Sequence, residues 1–396
     1  MLLAIMGFVF VAYLVIGLAL PVLPLYVRND LGLGPFMVGL VAGSPFVAAL
    51  LTRVPAGRYA DRRGGKQSVI VGLLIAGAGG VLYLVSLRVA GGSNGAVAIL
   101  MAGRALLGAA DSFVITGALS WGLGLIGTLP TGKVVAWIGT AIYAAFAVGA
   151  PAGTALYTAG GFTAISVATV LIPLGALAII VPLRSASAKN EQQPAAMGSV
   201  ARAVWMPGLG LALGGVGFGA ITAFIVLLFA EHQWAPAWPA FTALSVAFVV
   251  GRLFFGTLAD RLGGARVAFV CVLIEAVGLV LIWLAPSMAV ALAGVTLSGF
   301  GYSLIYPSLG VEVIRRAPAQ SRGLAMGAYT AFLDLSLGIS SPLLGLLANG
   351  GGIASLFLVS ALVALCAAAV SLGLARPSNA HPQAGGHARA SRPTSG

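Results

Sequence analysis

The chain has 396 residues, of which 60% are hydrophobic and only 8% charged, and its formal net charge is +12. So few charges cannot cover the water-facing surface of a soluble fold of this length, and lipid is the expected solvent for most of the chain. The positive balance does not mark a nucleic-acid binder, because the basic residues lie scattered between apolar runs instead of forming one patch with aromatics.

A crossing of about 30 Å of hydrocarbon needs roughly 20 apolar residues. Twelve windows meet that length: 4–27, 36–56, 68–88, 97–122, 134–157 and 162–183, then 204–230, 238–258, 267–286, 288–313, 323–347 and 354–375. The first is longer than the core of a secretory signal and eleven more follow it, so it reads as a span. Gly and Pro are tolerated in such helices, where glycine permits close helix contacts. Residues 184–203 form the longest polar interior stretch and read as a linker between 1–183 and 204–375, while 376–396 read as a low-complexity, disordered tail. With both termini in the cytoplasm, the inside connections and the tail carry sixteen basic residues and the outside ones only Arg28 and Arg88. This excess satisfies the positive-inside rule. The remaining three, Arg53, Arg104 and Arg252, fall within spans; Arg53 and Arg252 are expected to snorkel to the cytoplasmic interface or to pair with loop carboxylates.

The segment after the second span, RVPAGRYADRRGG from Arg53 to Gly65, recurs 199 positions later as RLFFGTLADRLGG from Arg252 to Gly264. The repeat predicts two six-span halves in parallel, with a site near the midplane where they meet. In span 4, Arg104 and Asp111 are seven residues apart, about 10.5 Å along one helix face and too far apart to pair directly. Charges at that depth cost about 2.5 to 3.5 kcal/mol and normally face a cavity or a partner. Arg104 reads as a functional cation or a tether between helices, and Asp111 as a proton carrier or an interhelical hydrogen-bonding group. Asp334 in span 11 is the second proton-carrier candidate. Glu275 in span 9 reads as an interhelical hydrogen-bonding group, and Glu312 as an ion pair with Arg315 and Arg316. Span 5 holds Gly149, Pro151 and Gly153, echoed by Pro342 in span 11; these are bending residues whose glycines would allow close contact with span 8 or its counterpart.

The loop motif, GRYADRRGGK from Gly57 to Lys66 with its second copy GTLADRLGGAR, resembles that of the major facilitator superfamily. Within it, the stretches GFGYSLIYPSLGVEV and FLDLSLGISSPLLG resemble the YhhS/YfcJ-type, arabinose-efflux-like branch. The resemblance implies an all-α integral membrane protein with twelve transmembrane helices in two pseudo-symmetric six-helix bundles. It would sit in a bacterial inner membrane as a monomer and move a small solute by alternating access. Gly57, Asp61, Arg62 and Gly65, mirrored by Gly256, Asp260 and Arg261, would form latches closing the cytoplasmic side. In each, glycine would permit a tight reversal and the carboxylate would meet basic side chains or a helix N-terminus, Asp61 near Ser321 to Gly323. Spans 1, 4, 7 and 10 would line the solute pocket with Tyr13, Ser112, Thr116, Phe218, Thr222, Tyr302 and Tyr306. The family's glycine–proline pattern in span 5 goes with export in exchange for protons, which makes proton-driven efflux the first expectation and proton-coupled uptake or facilitated movement of a sugar-like solute the alternative. No cofactor or metal is expected, the proton gradient being the driving force. A membrane enzyme is disfavoured because His232, His381 and His387 lie outside the spans and neither Cys271 nor Cys366 has a catalytic partner. A sensor would need a larger soluble domain.

Overall fold

A computed structural model describes residues 2–89, 94–126, 131–183, 197–318 and 321–375. The tail and most of the expected linker, with Arg184, Lys189, Arg376, Arg389, Arg392, His381 and His387, lie outside the described residues. Within them the chain is all-helical. Ten helices are long and apolar enough to cross a membrane, as lipid requires when no water can satisfy exposed backbone groups. We number them α1 (Leu2–Ala19), α2 (Pro35–Arg63), α3 (Gly65–Arg88), α4 (Asn94–Ile126), α5 (Thr131–Ile180), α6 (Met197–Glu231), α7 (Trp238–Phe255), α8 (Gly264–Trp283), α9 (Met288–Arg316) and α10 (Arg322–Ala375). The chain is a multi-pass membrane protein.

At 1.5 Å per residue, the 50 residues of α5 and the 54 of α10 would reach about 75 and 80 Å as straight rods, more than twice the hydrocarbon thickness. Both are broken. In α5 the break falls at Gly160 (φ −148°, ψ 21°) and Gly161 (φ 61°, ψ −160°), and in α10 at Gly352 (φ 75°, ψ 167°). Positive φ with extended ψ is essentially glycine-only territory, so these residues turn the chain back where a longer side chain would resist it.

The helices α1, α3, α4 and α5 pack among themselves, with α2 joining them through α4; α6, α8, α9 and α10 do likewise, with α7 joining through α9. Two seams connect the sets, α2 against α10 and α5 against α7. At the first seam the backbones nearly touch: a Cβ at Gly43 would lie 2.9 Å from the carbonyl oxygen of Gly338, one at Gly39 would lie 2.8 Å from Cα of Pro342, and one at Gly345 would lie 2.8 Å from Cα of Phe36. Such approach gains dispersion contacts that lipid tails cannot match. At the second seam the Thr242 hydroxyl donates to the Ala147 carbonyl at 2.9 Å.

Several expectations about the helix ends change. The reversal in the duplicated loop falls at Gly64 and Gly263, each at φ 91°, and not at Gly57, which is inside α2 with open space beside it. Gly65 and Gly264 are instead packed, the first against the backbone of Gly117 and Trp121 and the second against Ser308. Gly149 and Gly153 face Gly17 and Leu18 of α1, not span 8. Pro342 does sit on a seam, beside Gly39 and Gly43.

Candidate functional site

A cavity of about 310 Å³ lies between the two sets of helices and is bounded by both seams. It gathers five charged side chains: Arg53 of α2, Arg104 and Asp111 of α4, Arg252 of α7 and Asp334 of α10. Every basic residue that the sequence puts inside a span therefore reaches one place. Arg104 and Asp111 share a face of α4 as their seven-residue spacing predicts, and they do not pair with each other.

Arg53 neither snorkels nor meets a loop carboxylate. Its guanidinium crosses the α2–α10 seam and holds Asp334, with Nε and one terminal nitrogen 2.7 and 2.5 Å from Oδ2. Asp111 accepts a hydrogen bond from the Tyr13 hydroxyl, tying α4 to α1. Arg104 is buried and donates Nε to the Val41 carbonyl at 3.3 Å. Arg252 also stays inside: its Nε is 3.4 Å from the Ser303 carbonyl, and its guanidinium carbon lies 4.8 Å from the centre of the Phe248 ring.

Of the expected lining residues, Tyr13, Phe218, Thr222, Tyr302 and Tyr306 border the cavity. Ser112 and Thr116 do not. Ser112 turns toward α2 and donates to the Ala49 carbonyl at 3.0 Å. The aromatic walls are ordered by stacking, Phe218 on Tyr302 with centroids 5.0 Å apart and Tyr143 on Phe248 at 3.4 Å. Tyr143, Phe248, Arg53 and Arg252 were missed as site residues by reasoning along the sequence. The two arginines carried a usable signal, since they occupy the same position of the repeat; Tyr143 lay inside a stretch whose bending residues explained it well enough.

Outside the cavity, Glu275 is fully buried and neither carboxyl oxygen has a hydrogen-bond partner. The expected interhelical bond from this carboxyl is absent among the described residues; Gly217 of α6 faces it, where a Cβ would lie 2.5 Å from Oε1. Glu312 does pair with Arg315 and Arg316, at 3.3 and 3.7 Å, and it also accepts from the backbone N–H of Ala265 at the start of α8. Asp61 and Asp260 are exposed and make no hydrogen bond or ion pair among the described residues. Lys66 donates to the carbonyls of Val181 and Leu183, capping the end of α5. At the other end of the molecule, Arg28 is 3.8 Å from Glu231 and Tyr157 donates to Asp30 at 2.8 Å.

The family model described as Major Facilitator Superfamily matches residues 5–241 and again 209–395. The chain belongs to the Major Facilitator Superfamily. The two overlapping matches accord with the duplicated loop motif, and membership makes the chain a secondary-active transporter of a small solute, not an enzyme. A Salmonella typhimurium protein described as an uncharacterized MFS-type transporter is 43% identical over 361 residues, covering 91% of this chain and 93% of the relative. Among solved structures, a bacterial homologue of the human lysosomal transporter Spinster, described as inward-facing and unoccupied, superposes with a TM-score of 0.72 at 12% identity, covering 94% of this chain and 96% of that one. The E. coli fucose:proton symporter FucP gives 0.65 at 14% identity, covering 95% and 98%. These two share the fold of this superfamily member. The relative's description stops at the superfamily and does not reach the YhhS/YfcJ-type branch.

Proposed function

We propose that the chain is a twelve-span carrier of two six-helix bundles, 1–183 and 204–375, that moves a small solute by alternating access and couples it to protons in the direction of uptake. The Arg53–Asp334 pair carries this reading. It ties the two bundles together at the cavity wall, where a carrier's halves must move against each other. A proton taken up by Asp334 removes its charge and with it the attraction to Arg53, so protonation and seam geometry are thermodynamically linked. Asp111, tied to Tyr13 in the same cavity, is the second candidate for this role.

The conformation supports a further part of the reading. The seam is tight along residues 35–47 and 338–345, while Asp61 and Asp260 at the opposite ends have no partners among the described residues. We take this as the state open toward the loop motif, which the positive-inside distribution assigns to the cytoplasm of a bacterial inner membrane with both termini inside. The latches of Asp61, Arg62, Asp260 and Arg261 would engage in the opposite state. Uptake has more support than export. Ala150 separates Gly149 from Pro151, the flanking glycines pack on α1, and a protein named as a fucose:proton symporter shares the fold. The quoted motif stretches support placing the chain with YhhS/YfcJ-type permeases.

The test uses proteoliposomes that enclose a pH-sensitive dye, with a panel of sugars, nucleosides and organic acids added outside in turn. Symport predicts that one compound acidifies the lumen, and that Asp334→Asn reduces the response to that of protein-free vesicles. Luminal alkalinisation would mean exchange, and the uptake reading would fall.

A further inference from the structure

We infer that Arg252 is an anion-recognition residue in the cavity and that the solute is a small organic anion with a planar or apolar body. The inference rests on the transport reading and names its substrate class.

Arg53 and Arg252 stand 199 positions apart at the same point of the duplicated motif. Each leaves its helix across the neighbouring seam, Arg53 from α2 toward α10 and Arg252 from α7 toward α5. Arg53 ends on a carboxylate. Arg252 ends against Gly139 of α5, where an added Cβ would overlap its terminal nitrogen. It makes no ion pair among the described residues, and the titratable groups around it are the hydroxyls of Tyr143, Tyr302 and Tyr306. The two seams are alike in construction and differ in charge, because only one supplies the counter-ion.

The cavity's charge balance points the same way. Three arginines face two aspartates. The Arg53–Asp334 pair cancels, and Asp111 accepts from the neutral Tyr13 hydroxyl without pairing with either remaining arginine, so the cavity keeps a net positive charge and neither Arg104 nor Arg252 has a carboxylate at ion-pair distance among the described residues. A guanidinium held at membrane depth without a counter-ion is costly. The Phe248 ring and one long contact to a carbonyl offset only part of that cost. A carboxylate or phosphate on the solute would supply the missing charge, and the fork of guanidinium N–H groups suits either one. The remaining walls are the two aromatic stacks, Tyr143 on Phe248 and Phe218 on Tyr302. The volume of about 310 Å³ is at the small end of ligand pockets, enough for a single-ring acid.

The experiment follows thermal unfolding of the purified full-length protein in detergent with benzoate and phenylacetate, against neutral benzamide, cationic benzylamine and L-fucose. Both carboxylates should raise the unfolding midpoint, and benzamide and benzylamine should not. Arg252→Gln should weaken the carboxylate response at least about tenfold. Arg252→Lys should retain the preference for anions, and Arg88→Gln, at the far end of α3, should behave as wild type. Equal responses to benzoate and benzamide, unchanged carboxylate affinity in a folded Arg252→Gln, or no carboxylate response at about 10 mM, where a millimolar binder is near saturation, would each overturn the inference. If Arg252→Gln does not fold, the wild-type choice between benzoate and benzamide decides. Binding is read without a gradient, so a failure of proton coupling leaves this result standing. A response to L-fucose alone would sink the anion inference and leave the transport reading intact.

Discussion

The Arg53–Asp334 pair joins residues 281 positions apart, and its side chains are 18% and 6% exposed. Removing one partner of such a pair strands the other charge, which costs about 3 to 5 kcal/mol, whereas replacing both with apolar groups is often neutral. Arg53→Met should therefore destabilise the folded protein by about 3 kcal/mol, and Arg53→Met combined with Asp334→Leu should recover most of it. Denaturant unfolding in mild detergent measures both; additive losses in the double variant would show that the pair is not coupled. The depth of Arg104, Asp111 and Asp334 in their spans was legible because an intramembrane charge is conspicuous in an apolar run. The destination of Arg53 and Arg252 was not. Both lie near the ends of their expected spans, 36–56 and 238–258, where the nearest water along their own helix looks like the cheapest escape, and the alternatives belong to other helices.

Among whole elements, the gaps expected at 158–161 and 348–353 contain the breaks seen at Gly160–Gly161 and Gly352. Glycine-rich interruptions in windows too long to span once can be read from sequence, since the length limit is set by the bilayer. Gly161 and Gly352 have no neighbours that a Cβ would strike, so their cost on substitution is conformational alone. Alanine at either position should cost about 1 to 3 kcal/mol. Gly327→Ala, in the helical part of α10 with equally open space, should instead be neutral or gain up to about 1 kcal/mol. Thermal unfolding of the three variants separates them, and equal effects at Gly352 and Gly327 would refute the backbone argument. The exchange of roles inside the loop motif was less legible. Adjacent glycines look alike in sequence, yet Gly64 turns the chain while Gly65 fills a contact with α4.

For the molecule as a whole, the question is which end opens. Arg28 and Glu231 meet across the end where residues 35–47 and 338–345 close the first seam. In a protein freed of Cys271 and Cys366, Arg28→Cys with Glu231→Cys should be joined by a reducible bifunctional thiol reagent. Transport should stop when the bridge forms and return when it is reduced. A bridged protein that still turns over at the unbridged rate would mean that this end does not open during the cycle.

Hydropathy and charge add up along the chain and answer to a bilayer of fixed thickness, so residence in the membrane, the apolar helical stretches, the duplicated motif and the depth of the charged residues were determined by the sequence alone. Partner choice is a different kind of quantity. It depends on which helix lies across a seam and on whether that helix presents a carboxylate or a glycine at the right level. Repeat-equivalent positions cannot reveal this, because the repeat makes Arg53 and Arg252 identical. Only the tertiary structure distinguished them, by setting Asp334 opposite one and Gly139 opposite the other.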